Sequence, residues 1–326
     1  MKEHDIRPKA IFDEYLRLAA LDVQLLFADA PCVCIACPAC LAEGSPAFKK
    51  NGFQYALCDA CQTLYVSPRP VAESFRAYYT DSASTRYWAT TFYRETEAAR
   101  REKIWKPKAA LVAQKVRRFG GAAHVVDIGG GYGTFAEEVR ALGGFELTVI
   151  EPSVHLARVC RDKKLRVLER FLEDIGAGDL GAGPKSFVSF EIFEHLTDPA
   201  AFLQSLYRLM QPGDLFIFTT LSGTGLDIQV LWEKSKSVSP PHHLNFFNPW
   251  SVRSLLRRVG FETVEVTTPG HLDVDILGNN AGDIPERFWK TFLQFADEQQ
   301  KSAAQAFMTA SGFSSHMMVV CRRPLA

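Results

Sequence analysis

Apolar and polar positions change their period several times along this chain. In residues 1–30, Ile11, Tyr15, Leu16, Leu18, Leu21, Leu25 and Leu26 recur at roughly helical spacing, which predicts an amphipathic helix that packs on something larger. Residues 31–70 lose that period. They are rich in cysteine, proline and turn formers, and they end in Ser67-Pro68-Arg69-Pro70, a run that stops regular structure. Residues 71–118 set Phe75, Tyr78, Tyr79, Tyr87, Trp88, Phe92, Tyr93 and Trp105 among charges and predict a helical linker. Aromatics at this density serve packing first, although Tyr79, Tyr87 and Trp88 are also candidates for a lid. Arg86 and Arg94 are candidates for holding an anionic ligand, against the simpler reading of a solvated helix face.

From His124 onward, buried-strand patterns alternate with helical ones. AHVVDI leads to a helix from Thr134, FELTVI to one from Ser153, SFVSFEI to one from Asp198, and DLFIFTT to one from Asn248. Arg166-Val167-Leu168 is a shorter strand, FETVEVT and HMMVVCR are two late ones, and a helical stretch runs from about Pro285 to Met308. Such alternation predicts an α/β fold whose mostly parallel sheet is covered on both faces. The expected organisation is a helix over 1–30, a small cysteine module over 31–70, a helical linker or lid over 71–118, and a Rossmann-like domain over 119–326.

Composition narrows the function classes. The 37 basic and 37 acidic side chains cancel, so no global field draws the chain to a nucleic-acid backbone or an anionic membrane. No run reaches the roughly 20 apolar residues of a membrane span, and the charged N-terminal stretch is unlike a signal peptide. A cytoplasmic protein is expected. Eight cysteines in a chain of 326 residues suit a metal site in a reducing compartment better than a disulfide framework.

The run Val125-Val126-Asp127-Ile128-Gly129-Gly130-Gly131-Tyr132-Gly133-Thr134-Phe135 carries a strand through a glycine turn into a helix. Glycines let the backbone turn sharply and approach a ligand that a β-carbon would exclude, and the helix start offers free N–H groups. A dinucleotide fingerprint would need glycine at 134, where Thr134 stands, so a nicotinamide-dependent dehydrogenase is disfavoured. Glu151 follows the second strand, where a carboxylate can accept from both hydroxyls of a ribose.

The spacing Asp-x-Gly-x-Gly-x-Gly resembles the first motif of the class I S-adenosylmethionine-dependent methyltransferases. Phe190-Glu191-Ile192-Phe193-Glu194-His195-Leu196-Thr197-Asp198-Pro199 resembles the Glu-x-x-Glu-His-x-x-Asp-Pro signature of many small-molecule members, and Leu209-Met210-Gln211-Pro212-Gly213-Asp214 resembles their turn before the fifth strand. The resemblance implies a Rossmann-like, mostly parallel seven-stranded sheet. It also implies S-adenosylmethionine contacts at Asp127, Gly129, Gly130, Gly131, Gly133, Glu151 and Pro152, at Leu172 or Glu173 for adenine, and at Phe190 and Glu191.

Methyl transfer from a sulfonium needs in-line positioning and sometimes a base. The stretch after the fifth strand, Leu221 to Asn248, reads as a long loop. It contains Pro240-Pro241-His242-His243-Leu244-Asn245-Phe246-Phe247, similar to a segment that borders the active site in related methyltransferases. His242 and His243 are therefore candidate bases, as is His195, because an imidazole titrates near neutrality. Against each stands a purely structural role.

Cys37-Pro38-Ala39-Cys40 and Cys58-Asp59-Ala60-Cys61, separated by 17 residues, match a four-thiolate structural Zn2+ site. Cys32 and Cys34 leave its register open, while Cys160 and Cys321 read as small buried hydrophobes. A ribbon of this kind before the core resembles a bacterial group associated with sugar and surface-polysaccharide biosynthesis. Nucleotide-sugar C-methyltransferases pair a similar module with this core but add a C-terminal domain for which this chain is too short. The expected reaction is methyl transfer to a small polar metabolite, with a sugar or nucleotide sugar first among candidates. Two alternatives are a ribosomal-RNA methyltransferase gripping RNA through the ribbon, which balanced charge disfavours, and a non-catalytic scaffold that binds a partner protein.

Overall fold

The computed structural model describes residues 2–325. Among the described residues thirteen strands follow one another. The cysteine-rich segment holds β1 (Cys32–Val33), β2 (Gly44–Lys50), β3 (Phe53–Cys58), β4 (Leu64–Val66) and β5 (Arg69–Pro70). The remainder are β6 (His124–Ile128), β7 (Glu146–Ile150), β8 (Arg166–Leu168), β9 (Ser186–Phe190), β10 (Leu215–Leu221), β11 (Asn245–Phe246), β12 (Glu262–Thr267) and β13 (His316–Arg322).

Contacts divide the chain into two compact units built from interleaved segments. One comprises Met1–Ala98, Leu221–Val252 and Thr267–Met317, and the other Ala99–Thr220, Arg253–Val266 and Met318–Ala326. The second unit is framed by a seven-stranded sheet in the order β12-β13-β10-β9-β6-β7-β8, with β6 parallel to both β7 and β9, β7 to β8, and β9 to β10. The expected α/β class and Rossmann-like sheet are thus observed. Strand β9 is buried at every position, as a sheet covered on both faces requires. Val125, Val149, Val188 and Ile217 of the sheet pack with Val112, Val116, Phe135 and Val139 of the helices Lys106–Arg118 and Thr134–Ala141. The order places β6 beside the central strand β9, and between these two the direction of winding reverses and a crevice opens at the carboxyl ends of the strands.

The first unit holds a four-stranded sheet in the order β11-β4-β3-β2. Here the reading of Leu221 to Asn248 as a loop needs correction. That segment forms a helix over Leu226–Leu231 and the strand β11, whose Asn245 and Phe246 pair antiparallel with Tyr65 and Leu64 of β4. The cause is burial: Leu244, Phe246 and Val238 share a core with Tyr55, Leu64, Val66, Phe75 and Tyr78. The expected N-terminal helix runs from Lys9 to Leu26, preceded by a short turn of helix, Glu3–Ile6, and interrupted at Arg7-Pro8. The late helical stretch is two helices, Arg287–Phe295 and Glu298–Ser311, the second capped by Asp297. No helix among the described residues is long and apolar enough to cross a membrane.

Candidate functional site

The two cysteine pairs of the first unit sit in matching turns. Cys37 N–H donates to Ala42 O and Leu41 N–H to Cys37 O, both at 2.9 Å; Cys58 N–H donates to Thr63 O and Gln62 N–H to Cys58 O at the same distance. Leu41 and Gln62 occupy equivalent left-handed positions, with φ of 65° and 58°. Each Cys-x-x-Cys is therefore wrapped by the same knuckle, which turns both sulfurs inward. Cys37 Sγ lies 3.5 Å from Cys61 Sγ, and Cys40 Sγ lies 3.5 Å from both Cys58 Sγ and Cys61 Sγ. The four sulfurs all fall within 4.8 Å of one another and are free thiols. A tetrahedral zinc with bonds of about 2.3 Å places sulfurs about 3.8 Å apart, so the set fits that metal without rearrangement. Cys32 and Cys34 are exposed and lie outside the cluster.

Arg69 ties this ribbon to the segment around β11. It is buried, and its guanidinium donates to Val66 O, Leu244 O and Asn245 Oδ1. Asn248 Nδ2 donates to Cys61 O at 2.8 Å.

The two histidines of that segment are half-buried and differ in their partners. His243 Nδ1 lies 2.6 Å from Ser237 O, so Nδ1 carries a proton and donates it to that carbonyl. His242 Nδ1 instead lies 2.6 Å from the hydroxyl of Tyr78 and 2.9 Å from that of Tyr15, groups that can donate to it or accept from it. The rings of Tyr15, Tyr78 and Tyr79 meet His242 edge-on at 5.4 to 5.8 Å. Tyr15, read from sequence as one position in an apolar stripe, gave no sign of this contact.

In the second unit the glycine turn follows β6 directly. Gly129, Gly131 and Gly133 have φ of 70°, 55° and 68°, a region that disfavours any side chain. A β-carbon at Gly129 would fall 1.9 Å from Ile192 Cδ1, one at Gly130 would crowd Val149 and Asp127, and one at Gly133 would crowd Leu165 and Cys160. Gly131 differs, since a β-carbon there would meet no atom within 4 Å. Three glycines therefore close the turn against the protein, and the fourth faces open space.

The acids around this turn are buried. Burial, reinforced by the charge of Glu151, pushes the Asp127 carboxyl up to about 7, and its Oδ2 has no hydrogen-bond partner. Glu151 accepts from Gly131 N–H and Ser153 N–H, both at 2.9 Å; burial raises its pKa against those two bonds. Pro152 is half-buried beside it, Leu172 is buried in the short helix Leu172–Asp174, and Glu173 is exposed. Phe190, at the end of β9, packs 4.5 Å from Phe135 on the helix behind the glycine turn.

Glu191 stands next, in a left-handed conformation with φ of 55°, and accepts from Thr219 Oγ1 at 2.7 Å and Lys108 Nζ at 3.0 Å. Glu194 is buried and accepts from Thr220 Oγ1 at 2.9 Å; burial and the charge of Glu191 push it up to about 8. His195, half-buried, ends the short helix Phe193–His195, its N–H donating to Ile192 O at 2.8 Å. Thr219 and Thr220 were readable as the polar end of the apolar run LFIFTT. Lys108 was not, since a lysine in a helix ordinarily faces solvent.

Residues 98–266 match the model of a family described as a methyltransferase domain. The chain is 25% identical over 157 residues to a ubiquinone biosynthesis O-methyltransferase of Xanthomonas oryzae pv. oryzae (strain PXO99A), and 24% identical over the same length to that of Xanthomonas campestris pv. campestris (strain B100). Each match covers 44% of this chain and 65% of the relative's length. Among solved structures, the plantazolicin methyltransferase BpumL, in complex with a monoazolic desmethylPZN analogue and SAH, superposes with a TM-score of 0.50 at 11% identity, covering 76% of this chain and 93% of BpumL. That likeness is one of fold.

Proposed function

Because the chain belongs to the methyltransferase-domain family, we propose that its second unit binds S-adenosylmethionine at the carboxyl ends of β6, β7 and β9 and passes the methyl group to a small polar metabolite. The enzyme class expected from the sequence, an S-adenosylmethionine-dependent methyltransferase, stands on the family match. One observation carries the site assignment. Beside a glycine turn that faces open space at Gly131, a fully buried carboxylate, Asp127, keeps an oxygen without a partner. A buried acceptor in that state costs on the order of 1–3 kcal/mol, which a cationic or N–H-bearing ligand would recover.

The donor set fits the cofactor. Gly129, Gly130, Gly131 and Gly133 would receive its amino-acid end with Asp127 beside them, Glu151 and Pro152 its ribose, Leu172 or Glu173 its adenine, while Phe190 and Glu191 would line the side towards the reacting centre. When bound, S-adenosylmethionine supplies an activated methyl group on a sulfonium. The protein then has to orient, exclude water and accept a proton when the acceptor carries one. His195, His242 and His243 are the candidates for that last role. Among these, the Nδ1–H of His243 donates to Ser237 O, which fixes that ring's orientation and makes it the first to test. In His242, Nδ1 is engaged by the hydroxyls of Tyr78 and Tyr15.

The thiolates of Cys37, Cys40, Cys58 and Cys61 would hold a structural zinc, with no coordination position left for a substrate. For the acceptor we favour a sugar or nucleotide sugar, on the pairing of a four-cysteine ribbon with this core. The curated relatives act in ubiquinone biosynthesis, which sets phenolic hydroxyls as the competing class. Incubation with methyl-labelled donor and panels of nucleotide sugars and catechols would decide between them. Label on a nucleotide sugar supports the reading, and label confined to catechols overturns it.

A further inference from the structure

Lys108 lies on the helix Lys106–Arg118, ahead of the first strand of the sheet and far in sequence from every motif considered above. Only 8% of its side chain is exposed. Its ammonium sits 5.1 Å from the Trp105 ring and 4.8 Å from the Phe190 ring, so aromatic faces rather than water surround it. It donates to Glu191 Oε1 at 3.0 Å and lies 3.2 Å from Thr219 Oγ1.

Burying an ammonium is costly unless it is paired, and the fold adds a second cost at the partner. Glu191 adopts φ of 55°, a left-handed conformation that residues with a β-carbon avoid. Two strained choices converge on one carboxylate, and that carboxylate is held from two elements, by Lys108 and by Thr219 of β10. It is not sealed in, since 34% of the Glu191 side chain is exposed. The next residue, Ile192, is the one against which Gly129 closes the glycine turn.

We propose that Lys108 is a positioning residue, which holds the Glu191 carboxylate aimed into the donor cradle so that it faces the cationic centre of the methyl donor. This inference rests on the reading of the cradle as the S-adenosylmethionine site. Lys108 also acts through space on two further acids, Asp127 on β6 and Glu194 in the same turn as Glu191. The charge of Glu191 opposes the ionisation of Glu194. With its cation removed, Glu191 would therefore be left among acids, and its carboxylic-acid form would be favoured at mildly acidic pH.

The test measures S-adenosylmethionine affinity by calorimetry from pH 5.5 to 8.5 on the zinc-loaded full chain and on Lys108→Met, Lys108→Arg, Glu191→Gln and the Met/Gln double variant. Zinc content and melting temperature are followed in parallel. An opposite charge at contact shifts a carboxyl by about 1–3 pH units, so Lys108→Met should lose about tenfold in affinity near pH 6 and recover most of it by pH 8.5. Lys108→Arg should keep the wild-type profile, and Lys108→Met should cost much less when Glu191 is already glutamine, what remains being its action on Asp127 and Glu194. An unshifted profile in Lys108→Met, or an undiminished loss in the double variant, overturns the inference while the cradle reading stands. A wild-type protein that binds no S-adenosylmethionine overturns both.

Discussion

At Gly131 the fold offers room for a side chain and the backbone refuses it. A β-carbon would touch nothing, yet φ is 55°, a conformation that a β-branched residue strongly avoids. Gly131→Val should therefore lower affinity for S-adenosylmethionine at least tenfold while zinc stays bound, by calorimetry and metal analysis. Unchanged affinity would mean that the open side of the turn faces no ligand. Buried carboxyls give a second residue-level expectation. Asp127, held at about 7, titrates near 3.8 in the unfolded chain, so between those values the folded state keeps the proton more firmly. Stability contributed by this group is full below about pH 4 and declines as the pH rises towards 7. Relative to wild type, the unliganded Asp127→Asn variant should gain melting temperature between pH 5 and pH 8, and a constant difference over that range would refute the burial argument. Glu194, held at about 8, acts in the same direction over a window that ends about one unit higher.

Between elements, the ribbon and the segment after β10 depend on each other. Strand β11 completes the ribbon's sheet, Arg69 bonds three oxygens across that edge, and Asn248 caps Cys61 O. Arg69→Met would remove a buried guanidinium and its bonds to those oxygens, of which Leu244 O keeps the Val66 N–H, and should cost about 2–4 kcal/mol by denaturant titration, with the zinc retained. Replacing Cys37 and Cys58 by serine should instead release the metal and lower the melting temperature; unaltered zinc content would remove the metal assignment.

This is also the scale at which sequence and structure part. The strands of the parallel sheet were legible because each is a short apolar run stopped by a turn signal, and the glycine loop because its spacing is local. Strand β11 was not, since two residues carry no period and Asn245–Phe246 becomes a strand only by lying against β4. Lys108 and Tyr15 were missed for a related reason. Each looks ordinary within its own helix and gains a role only from partners 83 and 227 residues away in the chain.

For the whole molecule, equal numbers of acidic and basic side chains mean that ligand attraction must come from local groups, and around the glycine turn these are the carboxylates of Glu151 and Glu191 and the buried Asp127, whose proton a cationic ligand would help to displace. A net cationic donor is suited to such a site. Calorimetric titration of the zinc-loaded protein with S-adenosylmethionine, S-adenosylhomocysteine and the nicotinamide cofactors tests the central claim most directly. The account predicts saturable binding of the first two with one site per chain and no heat from the nicotinamides. Binding of a nicotinamide cofactor in place of S-adenosylmethionine, or of none of these ligands, would contradict it.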